Sequence, residues 1–304
     1  MPAVPCLTAA DLAGRLDWLV VAEAIAAGHR GPPPAVGDLF VTRGADTLQA
    51  RAAWVEGLGG AVKSFTVMPD NPARGLPSVQ GALVLYDAGT GAVEAVIDSA
   101  LVTRWKTAAD SLLGARLLAP GDARRLLILA AGEVAGSLVE AYRAGFPGIA
   151  VTIWSRSPAS AEALAAATGA AIAADLPGAV AEADIVATAT TARAPVLRGD
   201  WLRPGQHLDL IGAHRADMRE ADDAALRRSR IFVDSRAGAG HIGEIADPLA
   251  RGVIGEADIL GDLHDLVAGR AGRRDASEIT LFKNAGGAHL DLMVGRAILS
   301  AWRG

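Results

Sequence analysis

The stretch LLILAAGEVAGSLVEAYRAGF, residues 126–146, reads as a buried strand, a tight turn and a helix. A turn of this kind directs backbone N–H groups and the positive end of the helix dipole toward an anion, and it commonly binds a dinucleotide pyrophosphate. The full pattern is G-x-G-x-x-G/A, whereas this turn has Ala130 at the first glycine, keeps Gly132, and continues with Glu133 and Val134. Taken alone, the turn predicts either a pyrophosphate site or an ordinary strand–helix connection without a ligand.

Strands and helices alternate along the chain from Arg125 onward. The helix after the first strand is predicted to end at Gly145, and a second helix is predicted to begin after its cap, Ser157, and to end at Gly169. Apolar runs predict strands at 126–130, 149–154, 184–188, 207–212, 231–234 and 279–282. This alternation predicts an α/β fold with a Rossmann-type, doubly wound parallel sheet.

The chain before Arg125 shows a different pattern, with β-like runs separated by turn signals at 39–42, 61–68 and 82–86. Thr8 and Asp11 resemble a capping box that opens a helix through about His29. Thr103 is predicted to cap another helix, which ends at Pro120. The C-terminal segment is predicted as an amphipathic helix that returns to this first part of the chain.

Composition narrows the class of protein. The 304 residues suffice for two domains, and 51% of them are hydrophobic, so a large core is expected. The net charge is −5 without a basic run, which argues against a nucleic-acid partner. One cysteine, Cys6, and six histidines without ligand spacing predict neither a disulfide nor a metal site. No apolar run of membrane-spanning length and no signal-peptide pattern are present, so a soluble, cytoplasmic protein without a membrane partner is expected.

Polar residues follow two of the predicted strands. Ser155, Arg156 and Ser157 stand where an NAD-preferring protein carries a carboxylate for the ribose, and hydroxyls with a guanidinium suit the 2′-phosphate instead. We therefore expect NADP(H) to be preferred over NAD(H). Thr190 and Thr191 follow a buried strand, at the edge where such folds bind ligands. A solvated arginine and threonines that satisfy their own turns are the simpler alternatives.

Two lysines precede the alternating region. Lys63 lies in a β-like run, and Lys106 is predicted in the first turn of the helix that starts near Thr103, beside Arg104. A cation in a first turn opposes the helix dipole at a cost of about 0.3–1 kcal/mol. An anionic ligand would offset that cost, although solvation of both lysines is the commoner outcome.

Several long segments, in order, are similar to the ornithine cyclodeaminase/mu-crystallin family. They cover about residues 54–293 and include GGAVKSFTVMPDNPARGLPSVQGALVLYDAGTGAVEAVID, VTRWKTAADSLLGARLLA, ADIVATATTARAPVL, WLRPGQHLDLIGAHRADMRE, IFVDSRAG, ILGDLHDLVAGR and ITLFKNAGGAHLDL. The resemblance implies an α+β substrate-binding and dimerisation domain, residues 1–113 with 288–304, and a Rossmann dinucleotide-binding domain, residues 114–287. It also implies a homodimer and an active site in the cleft between the domains.

The resemblance implies hydride exchange between a nicotinamide and the α-carbon of an amino or imino acid. Lys63 stands on the family's substrate lysine, and Lys106 stands where the family usually has an arginine that binds the substrate carboxylate. His214 falls where ornithine cyclodeaminases carry a catalytic aspartate, with Asp217 three residues later. We therefore predict Lys63, Lys106 and His214 as catalytic residues, because an imidazole can supply a proton near neutral pH. A turn histidine without a catalytic role is the alternative for His214.

Other positions carry over less directly. Arg43 is a candidate for the family's arginine ahead of the lysine, but the alignment also places Asp38 there. Ser78 and Asn284 match pocket positions, so both join Arg43 and the two lysines as predicted substrate-binding residues. The predicted cofactor-binding residues are Gly132, Glu133, Val134, Ser155, Arg156, Ser157, Thr190, Thr191 and Ile211.

The predicted function is an NAD(P)H-dependent reductase of a small cyclic ketimine or imino acid of the pyrroline-2-carboxylate type. An ornithine cyclodeaminase or an alanine-dehydrogenase-like enzyme is the second interpretation, weakened by histidine at position 214. A non-catalytic NADP- or ligand-binding protein of the mu-crystallin kind is the third, since the glycine turn and the arginine positions have changed.

Overall fold

A computed structural model describes residues 4–304, which divide into two compact units. Unit 1 comprises the residues up to Lys106 together with Gly287–Gly304, and unit 2 comprises Thr107–Gly286. The first division lies inside one helix, in which the predicted boundary after residue 113 also lies.

In chain order, the strands are β1 (Cys6–Leu7), β2 (Ala35–Arg43), β3 (Asp46–Val55), β4 (Gly59–Val67), β5 (Val79–Tyr86), β6 (Val93–Asp98), β7 (Arg125–Leu129), β8 (Ala150–Trp154), β9 (Ala171–Ile172), β10 (Ile185–Thr188), β11 (His207–Leu210), β12 (Ser229–Val233), β13 (Ile259–Gly261) and β14 (Ile279–Lys283). The α-helices are α1 (Trp18–His29), α2 (Ser99–Leu118), α3 (Glu133–Gly145), α4 (Pro158–Thr168), α5 (Leu176–Glu182), α6 (Asp223–Arg228), α7 (Arg236–Ala239), α8 (Gly243–Ala250), α9 (Leu263–Val267) and α10 (Ala288–Arg303).

Unit 2 contains an eight-stranded, fully parallel sheet in the order β13-β12-β14-β11-β10-β7-β8-β9. The central strands are buried along nearly their whole length, as expected when helices cover both faces of a parallel sheet. From β7 the chain proceeds to β8 on one side and later returns to β10 on the other. The loops after β7 and β10 therefore border the switch point at which such folds bind ligands. The predicted α/β class and Rossmann-type sheet are confirmed.

The predicted helix boundaries around the cofactor turn are also correct. Helix α3 ends at Gly145, and α4 begins after Ser157, whose hydroxyl oxygen accepts a hydrogen bond from the Ser160 backbone nitrogen at 3.4 Å. Gly169 closes α4 with φ of +66°, in the left-handed region that favours glycine. The two shortest strands of the unit 2 sheet, β9 and β13, were not predicted, because they carry too few residues for a periodic signal.

Unit 1 contains a six-stranded sheet in the order β1-β6-β5-β4-β3-β2. Strand β1 pairs in parallel with β6, and the remaining pairs are antiparallel. Helix α10 packs on β3, β4 and β5 and against α1. The return of the C-terminal helix to the first part of the chain is therefore correct, whereas strands β1, β3 and β6 were missing from the prediction. Strand β3 has the sequence DTLQARAAWV, in which alanine, glutamine and arginine obscure the β signal.

The predicted first helix is wrong in its start. Thr8 and Asp11 do form a local hydrogen bond, 2.7 Å between their side-chain oxygens, but only the 3₁₀ turn Ala10–Leu12 follows. Gly14 then adopts φ of +71°, which breaks the helical path. The α-helix begins at Trp18, because the Asp17 carboxylate accepts hydrogen bonds from the next backbone N–H groups.

The predicted start of α2 at Thr103 is also wrong. Asp98 supplies the N-terminal acceptor, with its Oδ1 2.6 Å from the Ala100 backbone nitrogen and 3.2 Å from that of Leu101. The helix begins at Ser99, so Lys106 lies about two turns inside it rather than in the first turn. The dipole argument for an anion at Lys106 therefore fails, and any anion site there must rest on other contacts.

Candidate functional site

Two lysines converge on one carboxylate inside unit 1. The Nζ atoms of Lys63, on β4, and Lys106, on α2, each lie 3.2 Å from Oδ1 of Asp291, on α10. All three residues are buried, with exposed fractions of 5%, 8% and 1%. The sequence predicted the two lysines as a pair but gave no signal for Asp291, because its place depends on how α10 packs on the sheet.

Thr103 completes this cluster from the turn of α2 that precedes Lys106. Its hydroxyl donates to the Ser99 carbonyl at 2.8 Å and accepts from Lys63 Nζ at 2.6 Å. The hydroxyl therefore uses both its donor and an acceptor site, which fixes its orientation. The residue predicted as a helix cap instead holds the Lys63 ammonium group.

Burial and neighbouring charge set the electrostatics of the cluster. Burial lowers the pKa of Lys63 to about 8, the negative charge of Asp291 opposes that change, and the positive charges of Lys106 and Arg51 reinforce it. Burial alone would raise the pKa of Asp291, but the ammonium groups of Lys106 and Lys63 more than offset it and hold that pKa below its usual value. The cluster therefore presents two ammonium groups and one carboxylate in a poorly solvated setting.

Arg51 is a charged neighbour of Lys63 that sequence reasoning missed. It lies directly opposite Lys63 in the β3–β4 register, and its Nη2 atom is 3.2 Å from Oδ2 of Asp38 on β2. Arg43 lies elsewhere, at the end of the β2–β3 hairpin, where it pairs with Asp46 at 2.9 Å and its side chain is 83% exposed. The structure thus places Arg51, rather than Arg43, beside the lysine. Recognising β3 as a strand would have revealed it.

The remaining predicted substrate residues lie in different settings. Ser78 is half-buried just before β5, and its backbone carbonyl accepts from the Met68 backbone nitrogen at 2.7 Å. Asn284, in unit 2, is buried, and its amide donates to the Thr107 carbonyl and to the Ser111 hydroxyl, each at 3.0 Å. The Asn284 amide nitrogen therefore has two partners within unit 2.

The turn after β7 has the features of an anion site. Gly132 precedes α3, and no side chain among the described residues caps the N-terminus of this 13-residue helix. A Cβ atom added at Gly132 would meet no atom within 4 Å, so open space lies on the side of Gly132 to which a side chain would project. Glu133 is exposed and Val134 is half-buried, whereas Ala130 is buried. Uncapped N–H groups beside this open space fit a pyrophosphate.

The loop after β8 leaves one cation unengaged. Ser155 Oγ accepts from the Ser157 backbone nitrogen at 3.2 Å, and Ser157 serves as the cap of α4. Arg156 between them is exposed and makes no ion pair within residues 4–304. Its guanidinium group is therefore available to a phosphate.

Glu220 joins the loops that follow β10 and β11. Its Oε1 accepts from the Thr190 backbone nitrogen at 2.7 Å and from the Thr190 hydroxyl at 2.8 Å. Its Oε2 accepts from the backbone nitrogens of Gly212 at 2.6 Å and Ala213 at 3.2 Å. The two loops approach so closely that a Cβ at Gly212 would lie 2.0 Å from the Thr190 carbonyl oxygen. Glu220 therefore holds together the loops at the carboxyl ends of β10 and β11, where several of the predicted cofactor-binding residues lie.

Thr190 also accepts from the Ala192 backbone nitrogen at 3.2 Å, so it satisfies its own turn as well as bonding to Glu220. Ile211 is buried beside these loops, and its backbone nitrogen donates to the Thr188 carbonyl at 2.8 Å, while Thr191 is exposed. His214 is exposed, and its Nδ1 lies 2.9 Å from the Gly212 carbonyl oxygen. The structure therefore brings Thr190, Ile211 and His214 together at the carboxyl ends of the central strands β10 and β11.

A buried network supports Glu220 from below. The Glu244 carboxylate accepts from the Glu220 backbone nitrogen at 2.6 Å, and burial together with the negative charge of Glu220 raises the pKa of Glu244 to about 7. Burial lowers the pKa of Lys283, whose ammonium group donates to the carbonyls of Ile211 at 3.4 Å and Asn284 at 2.8 Å. These contacts stabilise the strand ends that carry the loops.

Across residues 4–304, no set of three histidine, cysteine, aspartate or glutamate side chains is arranged to hold a metal ion. None of the described helices combines the length and the apolar composition that crossing a membrane requires.

Comparison with known proteins identifies the family. The ornithine cyclodeaminase/mu-crystallin family profile matches residues 34–304. The chain is 51% identical to a Delta(1)-pyrroline-2-carboxylate reductase of Paracoccus denitrificans over 98% of this chain and 97% of that protein. It is 34% identical to the mouse ketimine reductase mu-crystallin over 79% and 75% of the two chains. The chain therefore belongs to the ornithine cyclodeaminase/mu-crystallin family.

Solved structures agree with the assignment of the fold. The Delta(1)-pyrroline-2-carboxylate reductase of Thermococcus litoralis, in complex with NADH and L-proline, superposes with a TM-score of 0.90 at 28% identity, covering 98% of this chain and 97% of that one. The iminosuccinate reductase of Paracoccus denitrificans, in complex with NAD⁺, gives a TM-score of 0.90 at 25% identity over 99% and 96% of the chains.

Replacing Glu220 by glutamine tests whether the loops that it joins contribute to cofactor binding. The amide has one acceptor oxygen where the carboxylate has two, so its NH₂ group would face N–H donors of Thr190 or of Gly212 and Ala213. We expect Glu220→Gln to raise the Kd for NADPH or NADH about tenfold, or ~1.4 kcal/mol, in a fluorescence titration.

The control for this experiment is Glu278→Gln. Glu278 pairs with Arg230 at 3.2 Å and directly precedes β14, so it lies at the amino ends of the strands of the same sheet. Equal Kd values for the two variants would show that Glu220 has no particular role in cofactor binding.

Proposed function

We propose that this protein is a nicotinamide-dependent reductase of a small cyclic ketimine or imino acid of the pyrroline-2-carboxylate type. The observation that carries the proposal is the pair of buried ammonium groups of Lys63 and Lys106 on one side of a single carboxylate. Buried cations of this kind suit a small anionic substrate. The 51% identical relative bears the name of such a reductase, and the similar structure from Thermococcus litoralis contains NADH and L-proline.

In the proposed reaction, Lys63 and Lys106 bind the substrate carboxylate through their remaining N–H donors. Arg51 adds a positive charge next to Lys63, which supports an anion there. A lysine at position 106 provides a point charge rather than the two parallel donors of an arginine. When bound, the reduced nicotinamide supplies a hydride to the carbon of the C=N bond, and the ring nitrogen gains one proton. The products are the cyclic amino acid and the oxidised cofactor.

The proton requires a donor of the protein or of the solvent. We assign this role to His214, the imidazole at the strand ends that carry Thr190 and Ile211. Burial lowers the pKa of Lys63 to about 8, so its ammonium group is a second acid in this assignment. Contacts of Ser78, Asn284 and Arg43 with the substrate stay predictions.

For the cofactor, we propose pyrophosphate binding at the turn Gly132–Val134 and a preference for NADP(H) over NAD(H). The uncapped N-terminus of α3 and the open space beside Gly132 support the first assignment. The unengaged guanidinium of Arg156, beside two serine hydroxyls, supports the second. The assignments of unit 2 to the cofactor and unit 1 to the substrate follow from these sites.

We further propose a homodimer formed through unit 1. Strand β2 is at the edge of its sheet and exposes Val36, Leu39, Phe40 and Val41, each more than half exposed, with Trp54 on β3 exposed by 50%. A long apolar edge strand is usually covered in a functional protein. A monomeric mass in sedimentation velocity would contradict this assignment. The cytoplasmic location and the absence of nucleic-acid and membrane partners stay predictions.

The function is tested in one assay series. The purified protein is offered NADPH or NADH with pyrroline-2-carboxylate, piperideine-2-carboxylate, or pyruvate plus ammonia, and oxidised cofactor with ornithine. Oxidation of the reduced cofactor by a cyclic imino acid is the expected result. Turnover of ornithine alone would assign a cyclodeaminase, turnover of pyruvate with ammonia alone an alanine dehydrogenase, and tight cofactor binding without any turnover a binding protein.

Replacing Lys63 by alanine removes one of the two ammonium groups. We expect Lys63→Ala to lower kcat/KM at least about 100-fold, because a charge-assisted contact to the carboxylate is lost. The Kd for NADPH should stay within about twofold, since Lys63 belongs to unit 1. Parallel loss of cofactor affinity and turnover would sink the assignment of Lys63 to the substrate.

Replacing Arg156 by alanine tests the cofactor preference. We expect Arg156→Ala to weaken NADPH binding about tenfold or more and to leave NADH binding nearly unchanged, because only NADPH carries the 2′-phosphate. Arg227→Ala, which removes an exposed arginine from the last turn of α6 in the same unit, serves as the control for net charge. Equal effects of Arg156→Ala on the two cofactors would refute the phosphate role.

A further inference from the structure

The lysines of this chain occupy unusual positions. Only three of its 29 basic residues are lysines, namely Lys63, Lys106 and Lys283, and all three are buried. Lysine is ordinarily among the most exposed residue types. Two of the three share Asp291, whose helix α10 packs on the strand that carries Lys63.

The charges of this cluster do not cancel. Lys63 from β4 and Lys106 from α2 are opposed by Asp291 from α10. Arg51 from β3 adds a positive charge next to Lys63, and Asp38 on β2 partly offsets that charge. Two neighbouring ammonium groups in a poorly solvated place repel each other, and one of them tends to lose its proton. Asp291 is therefore the anion that opposes the loss of the Lys63 proton.

The hydrogen bonds around Asp291 are unevenly distributed. Both ammonium groups approach the same atom, Oδ1, at 3.2 Å, which is longer than the 2.7–2.9 Å typical of such charged pairs. Oδ2 is buried and has no hydrogen-bond partner within residues 4–304. Each ammonium group has three donors, and Lys63 uses one on Thr103 and one on Asp291. Donors therefore remain on the cluster for a second carboxylate.

We propose that Asp291 is a positioning residue that holds the Lys63 and Lys106 ammonium groups together and keeps Lys63 protonated, so that both can receive the substrate carboxylate. The role in substrate binding rests on the proposed function. The control of Lys63 protonation does not, because it concerns the protein alone. Asp291 itself touches neither the hydride nor the proton of the reaction in this assignment.

A purely structural role for Asp291 is the competing explanation, because a buried acid on α10 also anchors the helix. The matched control is Glu94→Gln. Glu94 on β6 forms an ion pair with Arg296 on the same helix and makes no contact with Lys63 within the described residues. Both substitutions remove an ion pair between α10 and its surroundings, but only one of them changes the charge next to Lys63.

The direct test uses the small number of lysines. Protein labelled with ¹³C at the lysine ε-carbon should give three lysine signals. Lys63→Ala and Lys106→Met each assign one of them by its loss, and the remaining signal belongs to Lys283. The signals are followed over about pH 6 to 11, a range that brackets the ordinary and the lowered pKa of lysine. In the unmodified protein, Lys63 should titrate near its lowered pKa of about 8.

The two variants should move this titration in opposite directions. Asp291→Asn removes the opposing anion, so the Lys63 midpoint should fall by about one pH unit or more. Lys106→Met removes a repelling cation, so the midpoint should rise above that of the unmodified protein. Glu94→Gln should leave it unchanged. A structural role alone makes no prediction of opposite signs.

The kinetic consequence follows from the same titration. The carboxylate requires charged lysines, so kcat/KM should decline on the alkaline side, and in Asp291→Asn this decline should begin about one pH unit lower. At pH 8, kcat/KM of Asp291→Asn should be reduced about fivefold or more, mainly through KM, while the Kd for NADPH is retained.

An unchanged Lys63 midpoint in folded Asp291→Asn would overturn the proposal. If Asp291→Asn does not fold, Lys106→Met decides, and a Lys63 midpoint that fails to rise would then overturn it. Shifts of the NMR titration in the expected directions without turnover of any imino acid would refute the proposed function and leave the control of Lys63 protonation intact.

Discussion

The burial of positive charge in unit 1 is the constraint on which the proposed substrate site depends. Moving an isolated ammonium group out of water carries a penalty of several kcal/mol. Lys63 and Lys106 tolerate burial because polar contacts offset part of that penalty. Asp291 pairs with both ammonium groups, Thr103 accepts a hydrogen bond from Lys63, and each lysine keeps a small exposed fraction. The carboxylate is accordingly deprotonated despite its burial, with its pKa held low by the two ammonium groups. A site assembled in this way has a net positive charge before any substrate arrives, which is the condition for binding a small carboxylate.

Unit 2 solves a different problem, since its predicted cofactor-binding residues lie on separate loops. Glu220 accepts four hydrogen bonds from the segments after β10 and β11, and the close approach at Gly212 leaves no room for a larger residue. An acid that binds backbone N–H groups in this way fixes loops without needing a ligand to order them. Glu244 then holds the backbone of Glu220 itself. Glu220 and Glu244 therefore hold the loops after β10 and β11 in place through contacts within the protein itself.

Local patterns in the sequence predicted much of the fold. The parallel sheet, helix α3 and helix α4 were identifiable because strand runs, caps and terminal glycines lie next to each other in the chain. The helix starts at Trp18 and Ser99 were not, because Asp17 and Asp98 compete with equally plausible caps nearby, and backbone geometry decides between them. Strand β3 was missed because its alanine-rich sequence has little β propensity.

The site was predictable only where a family motif marks a residue. The resemblance marked Lys63 and Lys106, but not the residues that contact them. Asp291 lies 228 residues from Lys63 in the chain, and Glu220 joins two separate loops. Arg51 is reached through the register of the neighbouring strands β3 and β4. A single sequence does not encode such pairs in any local spacing. Arg43 illustrates the limit, since an arginine of the right charge and approximate place lies at a hairpin end, while strand register puts Arg51 beside the lysine.

The altered glycine turn can now be interpreted through its geometry. Ala130 replaces the first glycine of the fingerprint at a buried position, where its methyl group packs in the interior. Gly132, at the position that the fingerprint keeps free for a phosphate, is retained, and a Cβ there would meet no atom within 4 Å. The first change therefore alters packing behind the turn, whereas the second position preserves the approach to the N–H groups of α3. The departure from the consensus at Ala130 is therefore compatible with a functional pyrophosphate site. Whether the protein is catalytic depends instead on the lysine cluster.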